Sequence, residues 1–535
     1  MIINISTVIM KKIFLVLTGI VLFCLNSFAQ KEGLAAIGKD DLRAYMTFFA
    51  SDEMAGRETG SEANETAALY IKTNLMRLGL KPLPSTGDYL QKIPMFSARK
   101  DDNNSFLKIN GTQGEEISFT DSTVTLMTPS MTMEATGNVV YAGYGYSDTI
   151  TGYNDYDGID LSGKIVLMMT RTPQSAYMER ENSMFREQIE GPKLGQVFMS
   201  GPKAILIVFD PKNRFHDAYD SGLAEMISSN SVTLRGRQDQ SIPLQLLFIT
   251  QHSADLLLKT TGYTLSQMQE RIRTEGNPVS VEIPDITATL RTSVDTSSFY
   301  ASNVIGIIEG SDPVLKNECI IYTAHFDHTG KNVDGEVNNG ADDNASGSMA
   351  LLEVAEAFMK LKKNPLRTIV FAWVTGEEKG LLGSQYYTTD PAIPLENTLV
   401  DINLDMVGRS KMASDTGKFA GFDLDVTQKD EIMVYTGHES SELIQMMAQS
   451  AKEAGLRVTD KGKDLPFGGS DHESFTDKGI PSLFFHSGIH ADLHSMGDDV
   501  EKIDFEKIEK VSEMSFLLGY RIANQRKRIT VNNPQ

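Results

Sequence analysis

The sequence predicts an α/β fold: a mixed, mostly parallel sheet flanked by helices and interrupted by a small β-rich inserted domain. Three observations predict it. From about 297 to 525, apolar β-favouring runs alternate with segments of helical periodicity, the pattern of strands joined by crossover helices. From about 115 to 290 the texture differs, with short β-like runs split by Gly, Asp and Asn. Residues 38 to 82 repeat apolar side chains at helical spacing.

Taken in chain order, the first element lies outside the fold. Lys11 and Lys12 precede an apolar run, Ile13 to Cys24, and Ser27-Phe28-Ala29 offers small residues at the −3 and −1 positions of a cleavage site. Residues 1–29 therefore read as a signal peptide, too short in its apolar part for a spanning helix. The expectation is an exported protein, periplasmic or extracellular, with no membrane span after cleavage. Only Cys319 then remains, which excludes a disulfide framework.

Leu42, Tyr45, Met46 and Phe49, then Ala67, Tyr70, Ile71, Leu75 and Leu78, mark two helices, the second closed by Gly79 and Pro82. Asn138 to Tyr141, Lys164 to Met169, Ala204 to Phe209 and Leu244 to Ile249 are the β-like runs of the insert. Beyond it come strands at Val304 to Ile308, Cys319 to Ala324, Thr368 to Thr375, Leu399 to Leu404 and Ser482 to Phe485. Helices are expected at Ser346 to Leu361, Ser441 to Ala454 and Asp504 to Ala523.

The chain has 535 residues, 41% hydrophobic and 23% charged, which leaves room for two or three domains. Its net charge of −21, with no basic run interleaved with aromatics, argues against a nucleic-acid partner.

The strands of the last region share a feature. CIIYTA runs into His325-Phe326-Asp327-His328, IVFAWVT into Glu377-Glu378, LVDINL into Asp405, and SLFF into His486. Adjacent carboxylates at the end of a buried strand repel, and desolvation adds to the cost, so a positive group or a proton is needed there. Open α/β sheets bind ligands at the carboxyl ends of their strands. His325, Asp327, Glu377, Glu378 and Asp405 should therefore converge. GADDNASG, 340 to 347, sets Asp342 and Asp343 near a helix N-terminus, where carboxylates are favoured. Imidazoles and carboxylates without a thiolate suit zinc, or failing that manganese or cobalt. The number of carboxylates suits two metals about 3.5–4 Å apart bridged by one of them. One glutamate of the pair can then be a ligand while its neighbour stays free as a base.

HFDH, GADDNASG, GEEKGLLGS, NLDMVG and GSDHESF, in this order, resemble the zinc-dependent aminopeptidases of the M28 type, co-catalytic di-zinc exopeptidases. SDEMAGRETGSEANETAALYIKTNLMRLGLKPL resembles the opening helices of that family, and AGYGY with DYDGIDLSGKIVLMM resembles its protease-associated domain. The resemblance implies a peptidase domain at 30–118 and 291–526, a protease-associated domain at 119–290, and a tail at 527–535. It implies two Zn2+ per chain and peptide substrates with a free N-terminus. His325 corresponds to a ligand of the first metal, and Asp327 to the partner that orients its ring. Asp343, rather than Asp342, corresponds to the bridging carboxylate, with a cis peptide bond after it. Glu378 corresponds to a ligand, Glu377 to the general base, and Asp405 to the ligand that shares a metal with His325.

For the last imidazole the resemblance implies His494, by the pattern His494-Ser495…Asp498-Asp499, with His490 its competitor. Leu493 stands where many members have Tyr. His472 is read as a hydrogen-bonded residue near the site, and His438-Glu439 as a loop before a helix capped by Ser440 or Ser441. Rival readings are a glutamate carboxypeptidase-like or glutaminyl cyclase activity on the same scaffold, or a non-catalytic metal-binding partner protein.

Overall fold

The computed structural model describes residues 30–530 except 112–114, 119–122, 174–186, 214–215, 217, 219–229, 238–243, 333–334, 420–421, 438–439 and 460–468. The expected signal segment and His438-Glu439 lie outside the described residues. The described residues form two compact units, those within 30–93, 300–417 and 423–530 in one, those within 94–299 and 418–422 in the other.

In the first unit seven strands lie in the order Arg457–Thr459, Glu431–Gly437, Ser482–His486, Thr398–Leu404, Cys319–His325, Thr368–Val374 and Val294–Ile308. Four of them, Ser482–His486 through Thr368–Val374, are mutually parallel. Glu431–Gly437 and Val294–Ile308 flank them antiparallel, so the sheet is mixed around a parallel centre. Cys319–His325, Thr368–Val374 and Thr398–Leu404 are buried at every residue, which is why they read as continuous apolar runs. The helices Gly347–Met359 and Phe505–Asn524 cover one face, where Tyr322 stacks on Phe371 at 5.3 Å and Phe358 meets Phe516 edge-on at 4.8 Å. Ile305, Cys319, Ile321, Val370 and Phe475 fill the other. Burial pushes the Cys319 thiol up to about 12, so it is a packing residue.

Two of the strands that flank the parallel centre go beyond the sequence reading. The strand expected from Val304 begins at Val294, because its first half is exposed and polar and carries no apolar signal. Glu431–Gly437 was not expected as a strand, because it is only partly buried.

The second unit holds a sheet in the order Glu115–Ser118, Phe106–Asn110, Val281–Thr292, Met133–Tyr141, Ile165–Met169, Ala204–Val208, Gln245–Ile249 and Thr123–Thr125. Its four strands from Met133–Tyr141 to Gln245–Ile249 are parallel. Helices Gln251–Leu258 and Leu265–Glu275 accompany them, so this unit is α/β rather than simply β-rich. It is also wider than 119–290. Leu90–Lys100 pairs with Asn230–Leu234, and Phe106–Asn110 with Val281–Thr292, which draws residues from 94 onward into it.

Candidate metal centre

Three neighbouring parallel strands, Thr398–Leu404, Cys319–His325 and Thr368–Val374, end at one edge of the first unit's sheet. Their register sets His325 opposite Val374 and Thr323 opposite Asn403, so Asp405, His325 and the Glu377-Glu378 pair emerge side by side. The turn Ala341–Ser346 crosses the same edge ahead of the helix Gly347–Met359 and delivers Asp343. The Asp343–Asn344 peptide bond is cis, as the resemblance implies. Gly340 makes this approach possible: its φ is 57°, and a Cβ there would lie 2.2 Å from the Asp343 carbonyl oxygen and 2.5 Å from the His328 ring.

The side chains fall into two groups that share Asp343. In the first, His325 Nε2 lies 3.1 Å from Asp405 Oδ1 and 3.3 Å from Asp343 Oδ1. In the second, His494 Nε2 lies 3.1 Å from Asp343 Oδ2 and 3.2 Å from Glu378 Oε2. His328 joins the second group, its Nδ1 2.8 Å from Glu378 Oε1 and 3.7 Å from Asp343 Oδ2. Each oxygen of the Asp343 carboxylate thus belongs to a different group. His325-Asp343-Asp405 and His328-Asp343-Glu378 each bring one donor atom per residue within 4.8 Å of the others. His494 carries a positive φ of 53°, the kind of backbone strain that collects at functional sites.

The electrostatics follow from crowding. Burial opposes the charge on Asp343, but His325 and His494 outweigh it and hold the carboxyl well below its usual range. Glu378 is treated the same way by His494 and His328 and lowered to about 2. Against burial, the surrounding carboxylates push His325 and His494 well above the usual imidazole range. Glu377 is shifted the other way from Glu378. Burial first, then Glu378, Asp405 and Asp471, push it well above the carboxylate range, against His325. Asp471 adds a further acid, raised to about 7 mainly by burial. With donors of this kind converging, no thiolate among them and more acids than imidazoles, the residues fit divalent cations of the zinc type.

All the residues singled out at the strand ends are brought together. Asp327 is buried beside His325, but the His325 Nδ1 atom sits 3.2 Å from the Asp327 backbone oxygen and 3.8 Å from its carboxylate. That carboxylate instead accepts the Thr59 hydroxyl at 2.7 Å and the Glu377 N–H at 3.3 Å. Asp342 faces away from the two groups and accepts the Gly408 N–H at 2.6 Å. His490 goes with it, its Nε2 3.5 Å from Asp342 Oδ2 and 3.9 Å from Asp498 Oδ1. His472 is buried with its ring stacked on Phe484 at 4.6 Å. His486 meets the Asp405 backbone oxygen at 3.0 Å. Leu493, the residue before His494, is partly buried. The sequence reading gave His328 no role. Its signal was its place in HFDH, three residues after His325.

Residues 303–518 match the family model described as Peptidase family M28. A probable leucine aminopeptidase of Trichophyton verrucosum is 29% identical over 220 residues, 39% of this chain and 56% of that protein. Leupeptin-inactivating enzyme 1 of Streptomyces exfoliatus is 31% identical over 205 residues, 38% of this chain and 39% of that protein. The chain thus spans roughly half the length or less of these relatives. Among solved structures, an aminopeptidase from Aneurinibacillus sp. strain AM-1 superposes with a TM-score of 0.55 at 20% identity, covering 94% of this chain and 98% of its own. A zinc aminopeptidase from Bacillus subtilis does so with a TM-score of 0.51 at 18% identity, covering 93% and 99%. These likenesses establish the fold. The helices of the described residues include none long and apolar enough to cross a membrane. The family match spans the strand ends and loops that carry His325, Asp343, Glu378, Asp405 and His494.

Proposed function

We propose that this protein is a zinc-dependent aminopeptidase that removes N-terminal residues from peptides. The observation that carries the reading is the Asp343 carboxylate, with one oxygen in each of two imidazole–carboxylate groups. His325, Asp405 and Asp343 would hold one zinc, and His494, Glu378 and Asp343 the other. Zinc held there supplies Lewis-acid activation of water and of the scissile carbonyl.

The chain's own residues do the rest. Glu377, next to the ligand Glu378 but outside both groups, takes the proton from the attacking water. It then hands that proton to the leaving amine. Asp327 holds the backbone N–H of Glu377 and so fixes where that base stands. The ring of carboxylates gives a free α-amino group a favourable neighbourhood, which makes the action exopeptidic. The inserted unit is read as a protease-associated domain from AGYGY and DYDGIDLSGKIVLMM, and the leader as an export signal.

The test is amino-acid release from matched peptides with free and acetylated N-termini, with and without added zinc. Zinc-dependent cleavage of the free series alone is the expected result. Equal cleavage of both series would overturn amino-terminal recognition, and no cleavage of either by zinc-loaded protein would overturn the peptidase reading.

A further inference from the structure

We propose that the tripeptide Arg57-Glu58-Thr59 is a strap that positions the metal centre, with Thr59 as its positioning residue for Asp327 and Glu377. It rests on the zinc reading above. The strap lies far upstream of the strand ends, yet it touches three of the segments that carry the site, those of His325, Asp343 and Glu378.

Arg57 is completely buried. Its guanidinium donates to four carbonyls: Phe326 at 2.9 Å, Phe49 at 2.7 Å, Asn339 at 2.8 Å and Gly340 at 2.9 Å. Phe326 lies between His325 and Asp327, and Gly340 opens the turn that delivers Asp343. One rigid fork therefore sets the spacing of two ligand-bearing loops. The Arg57 carbonyl accepts from Asn64, whose own oxygen accepts the Thr375 hydroxyl, two residues before Glu377. Glu58 pairs its backbone with His328, and its carboxylate receives Lys379, next to Glu378, at 3.0 Å. Thr59 donates its hydroxyl to Asp327 Oδ2 at 2.7 Å, while the other oxygen of that carboxylate holds the Glu377 N–H.

The backbone is bent to make these contacts. Ala55, Gly56 and Arg57 all have positive φ, at 45°, 68° and 51°. A Cβ on Gly56 would lie 2.3 Å from the Gly330 carbonyl oxygen. Strain of this kind persists where the surroundings over-determine it, and it collects at functional sites. The hydroxyl of Thr59 is the most testable link, because valine keeps its shape and removes only the donor.

The experiment compares wild type, Thr59→Val and Thr59→Ser. Zinc affinity is measured by chelator competition without substrate, Co2+-loaded protein by visible absorption, and peptide hydrolysis by kcat and KM. Because Asp327 also meets the His325 Nδ1 through its backbone oxygen at 3.2 Å, Thr59→Val is expected to weaken zinc binding roughly 10–100-fold, the usual cost of a change behind a metal's ligands. It should lower kcat with KM little changed, alter the Co2+ spectrum, and leave the melting temperature of metal-free protein near wild type. Thr59→Ser should restore affinity, spectrum and kcat. Wild-type zinc affinity and kcat in Thr59→Val would overturn the strap alone. So would a loss that serine fails to restore, since that points to packing. A wild type that takes up no zinc would overturn the metal reading and the strap with it.

Discussion

Both units place buried carboxylates beyond the ends of parallel strands, and they treat them in opposite ways. In the second unit Asp155 accepts the N–H groups of Tyr144 and Tyr146 at 2.9 and 3.1 Å and the Tyr153 hydroxyl at 2.7 Å. Asp210, two residues past Ala204–Val208, accepts the Lys212 N–H at 2.8 Å and the Tyr144 hydroxyl at 3.1 Å. Hydrogen-bond donors of their own neighbourhood satisfy these acids, with Lys193 near both and Arg171 near Asp210 adding positive charge. In the first unit Asp343, Asp405 and Glu378 turn their oxygens toward imidazole nitrogens and toward a shared space. A carboxylate at a strand end is therefore no site in itself. What separates a structural acid from a metal-binding one is whether donors of its own neighbourhood already use its lone pairs.

The comparison can be broken by substitution. The largest effect is expected at Asp343: Asp343→Ala should lose zinc from both groups. Peptide hydrolysis should fall by more than the roughly 10–100-fold that a change behind the ligands costs. Elemental analysis beside activity checks this. Glu377→Gln comes next and should keep its zinc while kcat drops roughly 10²–10⁴-fold, the scale of a lost general base.

Glu353 sharpens the comparison as a third way to bury an acid. It is 1% exposed, with one N–H donor, Gly38 at 2.9 Å. Burial raises its pKa to about 8 against an ordinary value of 4.5. The folded state thus holds a proton that the unfolded chain releases. The stability this protonated form gives is fully present below pH 4.5 and lost as pH rises toward 8. Glu353→Gln should therefore gain stability over wild type between those limits, on the order of a few kcal/mol at pH 8 and almost nothing at pH 4.5, by denaturant titration at both. The smallest effect is expected in the second unit. Asp155→Asn should cost about 1–3 kcal/mol through mismatched donors. It should leave zinc content unchanged, and a loss of zinc there would break the distinction drawn between the units.

Much of this could be read from the sequence, for physical reasons. Strands buried on both faces announce themselves as apolar runs, so the residues that end them, His325, Glu377, Glu378 and Asp405, stand out. The shared edge then follows from parallel pairing. The preference for His494 over His490 comes from the pattern His494-Ser495…Asp498-Asp499 and not from loop chemistry, since both sit in one loop; the approach of His494 Nε2 to Asp343 and Glu378 separates them in space. Arg57 and Thr59 gave no signal, since the partners that tie them to the site, Phe326, Asp327, Asn339 and Gly340, are distant in the chain. His328 was visible in HFDH but had no partner until Glu378 was folded against it. The boundary at 94 was missed because the strand pairing that sets it is long-range.

The most direct test of the central claim is a titration of metal-free protein with Zn2+, counting equivalents bound while following release of the N-terminal residue from a free peptide, for wild type and Asp343→Ala. The account predicts two zinc ions per wild-type chain, activity that rises as they bind, and neither in the variant. One zinc at full activity, or two retained without Asp343, would contradict it.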